Sequence, residues 1–200
     1  VKLSSAGING LAPKGRLTAE ISCDLQDMST PQIVVAMHGY NLNVKESGGF
    51  LGIMDDDAGH LFTNILQDGV IPELRFYIAC DNFDDIFRYR KFELDFSAQD
   101  ATIHIFPIRL LLEHVNGNGV LKEGWLSLNG ADGMWKESKA TDCNLKLDLN
   151  TDNYDFTFDS KIDFDASGIQ ELLLTVNPNF KNQLLDRLEN LQGRVPGTLD

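Results

Sequence analysis

The chain of 200 residues is 42% hydrophobic and 24% charged, the balance of a globular protein with enough apolar content for a core of its own. Seventeen Lys and Arg against thirty Asp and Glu give a formal charge of −13, which repels a phosphate backbone and argues against nucleic acid as a general partner. Twenty-one of the acids are Asp, a residue that favours caps and turns over helix interiors, so the composition leans towards strands joined by turns.

From the N-terminus, Leu17, Ala19, Ile21, Cys23 and Leu25 alternate with Arg16, Thr18, Glu20, Ser22 and Asp24, the pattern of a strand with one wet face. Ile33, Val35 and Met37 alternate up to Gly39, after which Tyr40, Leu42 and Val44 continue in the opposite phase. A slip of one residue at a glycine reads as a β-bulge. Asp55, Asp56 and Asp57 then cap a short helix near 57–68, which carries Leu61, Phe62, Ile65 and Leu66 on one face and stops at Gly69. Residues 74–80 are the next apolar run, and in 91–97 Phe92, Leu94 and Phe96 face one way while Lys91, Glu93 and Asp95 face the other. Residues 81–90 fit either a helix or an irregular edge.

Further strands are expected over 101–115, interrupted by Pro107, and over 120–128. Asn116-Gly117-Asn118-Gly119 and Asn129-Gly130-Ala131-Asp132-Gly133 read as the turns between them, since Asn-Gly suits positive φ. Next, Cys143, Leu145, Leu147 and Leu149 alternate with Asn144, Lys146 and Asp148. After turn residues 150–153, Tyr154, Phe156, Phe158, Ile162 and Phe164 alternate with Asp155, Thr157, Asp159, Lys161 and Asp163, which completes a hairpin. Residues 168–176 fit a strand end or a helix, and Asn177 with Pro178 opens an amphipathic C-terminal helix near 178–192 on which Phe180, Leu184, Leu188 and Leu191 recur.

The expected fold is a single β-rich α+β domain over 1–200, an antiparallel meander of about seven to ten strands bent into a sandwich or incomplete barrel, with the C-terminal helix on an apolar face. No run approaches the ~18 apolar residues of a transmembrane segment. The chain opens at Val1 with neither an initiator methionine nor a signal-like stretch, the expectation for a processed product or a fragment of a longer chain. Cys23, Cys80 and Cys143 lie far apart and outside any C-x-x-C spacing, which reads as small core residues and leans towards a reducing, cytoplasmic setting.

Residues 33–41, IVVAMHGYN, resemble the strand and His-Gly turn early in α/β hydrolases. That resemblance implies backbone N–H groups near His38 that help to form an oxyanion hole, with His38 the candidate catalytic residue. The chain holds no G-x-S-x-G elbow, and its antiparallel patterning differs from a doubly wound sheet, so the residues themselves favour a histidine at a strand end. His104 and His114 share a parity but are separated by Pro107, and with His60 they form no H-x-H or H-x-x-x-H pair. Asp163, Asp165, Ser167 and Gly168 match the opening of a calcium loop, but Leu174 stands where the closing Glu belongs. Cofactors are therefore not expected, with calcium at Asp163, Asp165 and Ser167 the one candidate. Glu113, among Leu112, His114 and Val115, is the acid in the most apolar local setting.

Three functions are expected from these features. The first is a non-catalytic binding or assembly module acting through a sheet surface or edge, with a protein partner or self-association favoured over nucleic acid. The second is a carrier of an apolar small molecule between sheet and C-terminal helix, for which Trp125, Tyr154, Phe156 and Phe158 are the candidate ligand-binding residues. The third is a hydrolase centred on His38.

Overall fold

The computed structural model describes residues 15–24, 32–46, 64–82, 85, 90–105, 110–150, 155–165 and 194–199. Long two-faced strands dominate them: β1 (Arg16–Asp24), β2 (Gln32–Asn43), β3 (Leu66–Cys80), β4 (Phe92–Ile105), β5 (Leu110–Lys122), β6 (Trp125–Trp135), β7 (Ser138–Asp148), β8 (Phe156–Asp165) and β9 (Arg194–Leu199). They form one nine-stranded sheet whose order in space is the order in sequence. All eight neighbouring pairs are antiparallel. The expected meander is therefore present, and β1 and β9 are not paired with each other, so the sheet is open.

Several sequence expectations need correction. The helix near 57–68 does not extend to 68: only 64–65 are helical among its described residues, and Leu66 already pairs with Ile103 as the first residue of β3. Gly69, read as a helix stop, lies inside β3 at φ 112, where the absent Cβ lets the Ala101 backbone of β4 approach. Residues 57–63 and the helix expected near 178–192 lie outside the described residues. The Asn-Gly sites at 116–119 and 129–133 are not turns; each sits in mid-strand, in β5 and β6. The chain reverses instead at Glu123 and Gly124, both at positive φ as a two-residue type I′ hairpin requires, and at Lys136 and Glu137.

Asn, Asp, His and Gly serve bulges through the same left-handed backbone that suits them to turns. Asp100 in β4, His114 in β5, Gly130 in β6 and Asp142 in β7 have φ of 50, 54, 58 and 52. At each one the buried parity inverts. In β4 burial passes from Phe92, Leu94, Phe96 and Ala98 to Ala101, Ile103 and Ile105. Between β4 and β5 the pairing runs Ala98 with Gly117, Ala101 with Val115 and Ile103 with Leu112, so an extra residue in β4 is answered by one in β5 and the register recovers. The same slip and recovery occur between β5 and β6 and between β6 and β7. β8 carries no such residue, and there the slip stays uncorrected.

Side chains close the backbone groups that the bulges would leave open. Asn116 Oδ1 accepts from the Asp100 N–H at 3.1 Å while its Nδ2 donates to the His114 carbonyl at 2.9 Å. Asn144 repeats the arrangement one hairpin later, accepting from the Gly130 N–H and donating to the Asp142 carbonyl, both at 3.0 Å. Asp132 Oδ1 accepts from the Asp142 N–H at 3.3 Å. In each case the clamping residue stands two positions after a left-handed one, with a buried Val115, Ala131 or Cys143 between.

The buried hydrophobics form one cluster across β2 to β8 on a single face of the sheet. Glycines admit large side chains on that face. Gly119 pairs with Phe96, and a Cβ there would lie 2.2 Å from the Phe96 ring. Gly119→Ala is therefore expected to cost about 2 kcal/mol through overpacking, while Gly130→Ala, with open space around it, costs only the left-handed backbone penalty of about 1 kcal/mol. Urea unfolding in a double-mutant cycle checks this: Phe96→Leu should relieve Gly119→Ala and leave the cost of Gly130→Ala unchanged, and equal costs in both backgrounds contradict the packing account.

Candidate functional site

The other face of the sheet is polar, and antiparallel register arranges its side chains in rows across the strands. One row begins with Arg16 of β1 and Tyr40 of β2, passes Glu73 of β3, Ser97 of β4 and Asn118 of β5, and ends at Asn129 of β6. Glu73 and Ser97 are joined directly, since Ser97 Oγ accepts from the Glu73 N–H at 3.2 Å. The adjacent row runs from Thr18 through His38, Arg75, Asp95, Val120 and Ser127 to Lys146.

Where these rows cross β3, β4 and β5 the surface sinks into an open groove of about 270 Å³ lined by Glu73, Arg75, Asp95, Ser97, Asn118 and Val120, with Phe96 and Gly119. Arg75 donates from Nε and Nη2 to one oxygen of Glu73, at 2.9 and 2.7 Å, and this contact followed by the Glu73 charge holds the guanidinium above its ordinary pKa. The groove thus carries two carboxylates, one fixed cation, a hydroxyl and a primary amide. Among the described residues, the side chains of Asn118, Asn129 and Tyr40 make no hydrogen bond. Tyr40 and Tyr77, 42% and 47% exposed, stand beside the groove on β2 and β3 and are unusually open for large aromatics.

The sequence candidates are scattered over this architecture. His38 is exposed in mid-strand, opposite Thr18 and Arg75, and its main chain belongs to a central strand paired on both sides. The Thr18 hydroxyl donates to the His38 carbonyl at 3.4 Å. Trp125 is half-buried on the polar face with Lys146 Nζ 4.5 Å from its ring centroid, a cation–π contact. Phe158 is buried and Phe156 packs against the same core, on the opposite face from Trp125, so the three do not meet. Tyr154 and Ser167 lie outside the described residues. Asp163 and Asp165 sit two apart on the polar face of β8, where the Asp165 N–H donates to Ser138 Oγ. No group of three or more potential metal-ligating side chains occurs among the described residues. Glu113 is exposed on β5.

Inside the sheet, the apolar space between Ile105, Leu112, Leu128, Leu145 and Phe158 holds about 10 Å³, room for one water. Cys80 and Cys143 are buried and Cys23 half-buried, all as free thiols. Burial pushes the Cys143 thiol up in pKa against the opposing contact with Ser160 at 3.1 Å, which keeps it a packing group instead of a nucleophile. No helix among the described residues is long and apolar enough to cross a membrane.

Register was the missing signal for the groove: Glu73, Ser97 and Asn118 are separated by 24 and 21 positions in sequence and meet only through pairing. Comparison with protein-family models, characterised proteins and solved structures finds no match to this chain.

At the bulges, His114 Nδ1 lies 2.6 Å from Asp100 Oδ1 on the surface, and the hydrogen bond, then the Asp100 charge, raise the imidazole pKa above 6.5. A raised folded-state value stabilises the fold below the unfolded pKa, and the contribution fades as pH rises through the folded one. Asp100→Asn retains a residue suited to positive φ and should lower the His114 pKa, read by NMR titration of the ring. The stability gap between wild type and variant should be wider at about pH 5.5 than at about pH 8.5. An unchanged titration contradicts the pairing.

Proposed function

We propose that the protein is a non-catalytic binding module that recognises its partner through the polar face of the sheet, over β2 to β5. The observation that carries this reading is the groove at Glu73, Arg75, Asp95, Ser97 and Asn118 with Tyr40 and Tyr77 exposed beside it. Solubility needs only charge on such a face. Two open phenol rings beside convergent donors and acceptors exceed that need, and they have the composition of recognition sites: amphipathic aromatic surface with a few placed polar groups. The antiparallel ladder beneath supplies rigidity, so the groups are held in place before a ligand arrives. The carrier alternative places its ligand against the helix expected near 178–192, which lies outside the described residues, so the exposed polar groove is the feature that favours recognition by the sheet surface.

Native mass spectrometry of the protein isolated from its own cells tests the reading. Wild type should retain a bound species that a Tyr40→Ala/Tyr77→Ala variant loses, with the melting temperature of the variant within about 3 °C of wild type. A bound species retained equally by both, or wild type isolated without one, contradicts recognition through this face.

A further inference from the structure

We infer that the row of Tyr40, Glu73, Ser97, Asn118 and Asn129 is a subsite for an extended, neutral oligosaccharide lying across the strands, an inference that rests on reading the polar face as the recognition surface. The first argument is periodicity. Neighbouring strands stand about 4.8 Å apart, so these five residues on β2 to β6 present one hydrogen-bonding side chain per step over about 19 Å. That step is close to the advance per sugar of an extended β-linked pyranose chain, so successive rings meet successive strands.

The second argument is donor and acceptor balance. A phenol, a carboxylate and two primary amides along the row are open to sugar hydroxyls, which both donate and accept, while Ser97 Oγ, which accepts from the Glu73 N–H and donates to the Glu73 carbonyl, keeps one lone pair for them. At the Tyr40 end, the open ring offers a flat apolar surface for the C–H face of a pyranose, with the phenol oxygen left in reach of its hydroxyls.

The third argument is charge. Glu73 and Asp95 in the groove, on a chain of net charge −13, repel a phosphorylated, sulfated or uronate ligand. Arg75, fixed in the same groove by its double contact with Glu73, offsets one of the two carboxylates and leaves the groove a single net negative charge, so hexalysine is the comparison ligand that charge alone would favour. A neutral polyhydroxylated ligand meets no repulsion. It can also take the amides of Asn118 and Asn129, which have no partner among the described residues.

Isothermal titration of the full chain with neutral hexasaccharides, namely cello-, xylo-, manno- and laminarihexaose, tests the inference, with hexalysine as a comparison ligand. At least one neutral hexaose should bind with Kd of about 1 μM or tighter, the affinity that lets a ligand survive isolation, and hardly change on adding salt. Tyr40→Ala and Asn118→Ala should each weaken it about tenfold, whereas Thr157→Ala, on the same face but outside the row, should leave it unchanged. Circular dichroism melting of each variant, expected to match wild type, separates loss of contact from loss of fold. Absence of binding by all four hexaoses, binding of hexalysine alone, or affinity indifferent to both row substitutions overturns the inference. If the hexaoses fail while the isolated protein still retains a species that the double tyrosine variant loses, the recognition face stands and its ligand is of another class.

Discussion

A backbone amide that leaves the ladder of a sheet must find another partner, and in this protein that requirement is met by side chains at one repeated place. Where a strand takes a left-handed residue, the flanking N–H and C=O groups no longer face the neighbouring strand in register. Asn116, Asp132 and Asn144 accept the N–H groups of Asp100, Asp142 and Gly130, and the two asparagines also hold the carbonyls of His114 and Asp142. Each such bond contributes about 1 kcal/mol, and leaving the group unpaired would cost more. The clamps therefore make bulges in four adjacent strands tolerable, and because each slip is answered by its neighbour, strands of eleven to fourteen residues stay paired on either side.

The separation of the two faces depends on the same feature. A left-handed residue inverts which side chains of its strand face inward, and the one-residue register shift that comes with it keeps paired residues on a common face: Ala140 with Ile162 and Leu145 with Phe158 are all buried on either side of the slip between β7 and β8. Ala101, Val115, Ala131 and Cys143 thus lie on the inner side directly after the slips of their strands, continuous with the core beyond. The outer face is then free to be polar along its whole width. Recognition by the outer face thus inherits its geometry from constraints that belong to the inner one.

The faces of single strands were legible in the sequence; the joins between them were not. Alternation alone sets Phe92, Leu94 and Phe96 on one face and Cys143, Leu145, Leu147 and Phe158 likewise; all seven are buried, and the hairpin of β7 and β8 follows from the same pattern. In β2 the phase slip was also visible, although the left-handed residue is Asn41 and not Gly39. Elsewhere the same chemistry misled, because Asn, Asp and Gly suit a turn and a bulge through one backbone conformation. A bulge differs from a turn in the pattern beyond it: burial at Val115 continues past the half-buried Gly117 to Gly119 and Leu121, which a reversal at 116–119 would have broken. The triplets His114-Val115-Asn116, Gly130-Ala131-Asp132 and Asp142-Cys143-Asn144 repeat this signature. The groove had no local signal, since Glu73, Ser97 and Asn118 acquire their adjacency from register, which alternation by itself leaves open.

Native-state hydrogen exchange at the bulge amides tests the central role of the clamps most directly. In wild type the N–H groups of Asp100, Gly130 and Asp142 should be protected alongside the paired amides of their strands, although none of the three residues has a partner in the ladder. In Asn144→Ala the Gly130 amide should lose its protection selectively, while Asp100, held by Asn116, keeps its own. Exchange of these three amides in wild type at the rate of an unfolded chain, or a Gly130 amide equally protected without Asn144, would contradict the account.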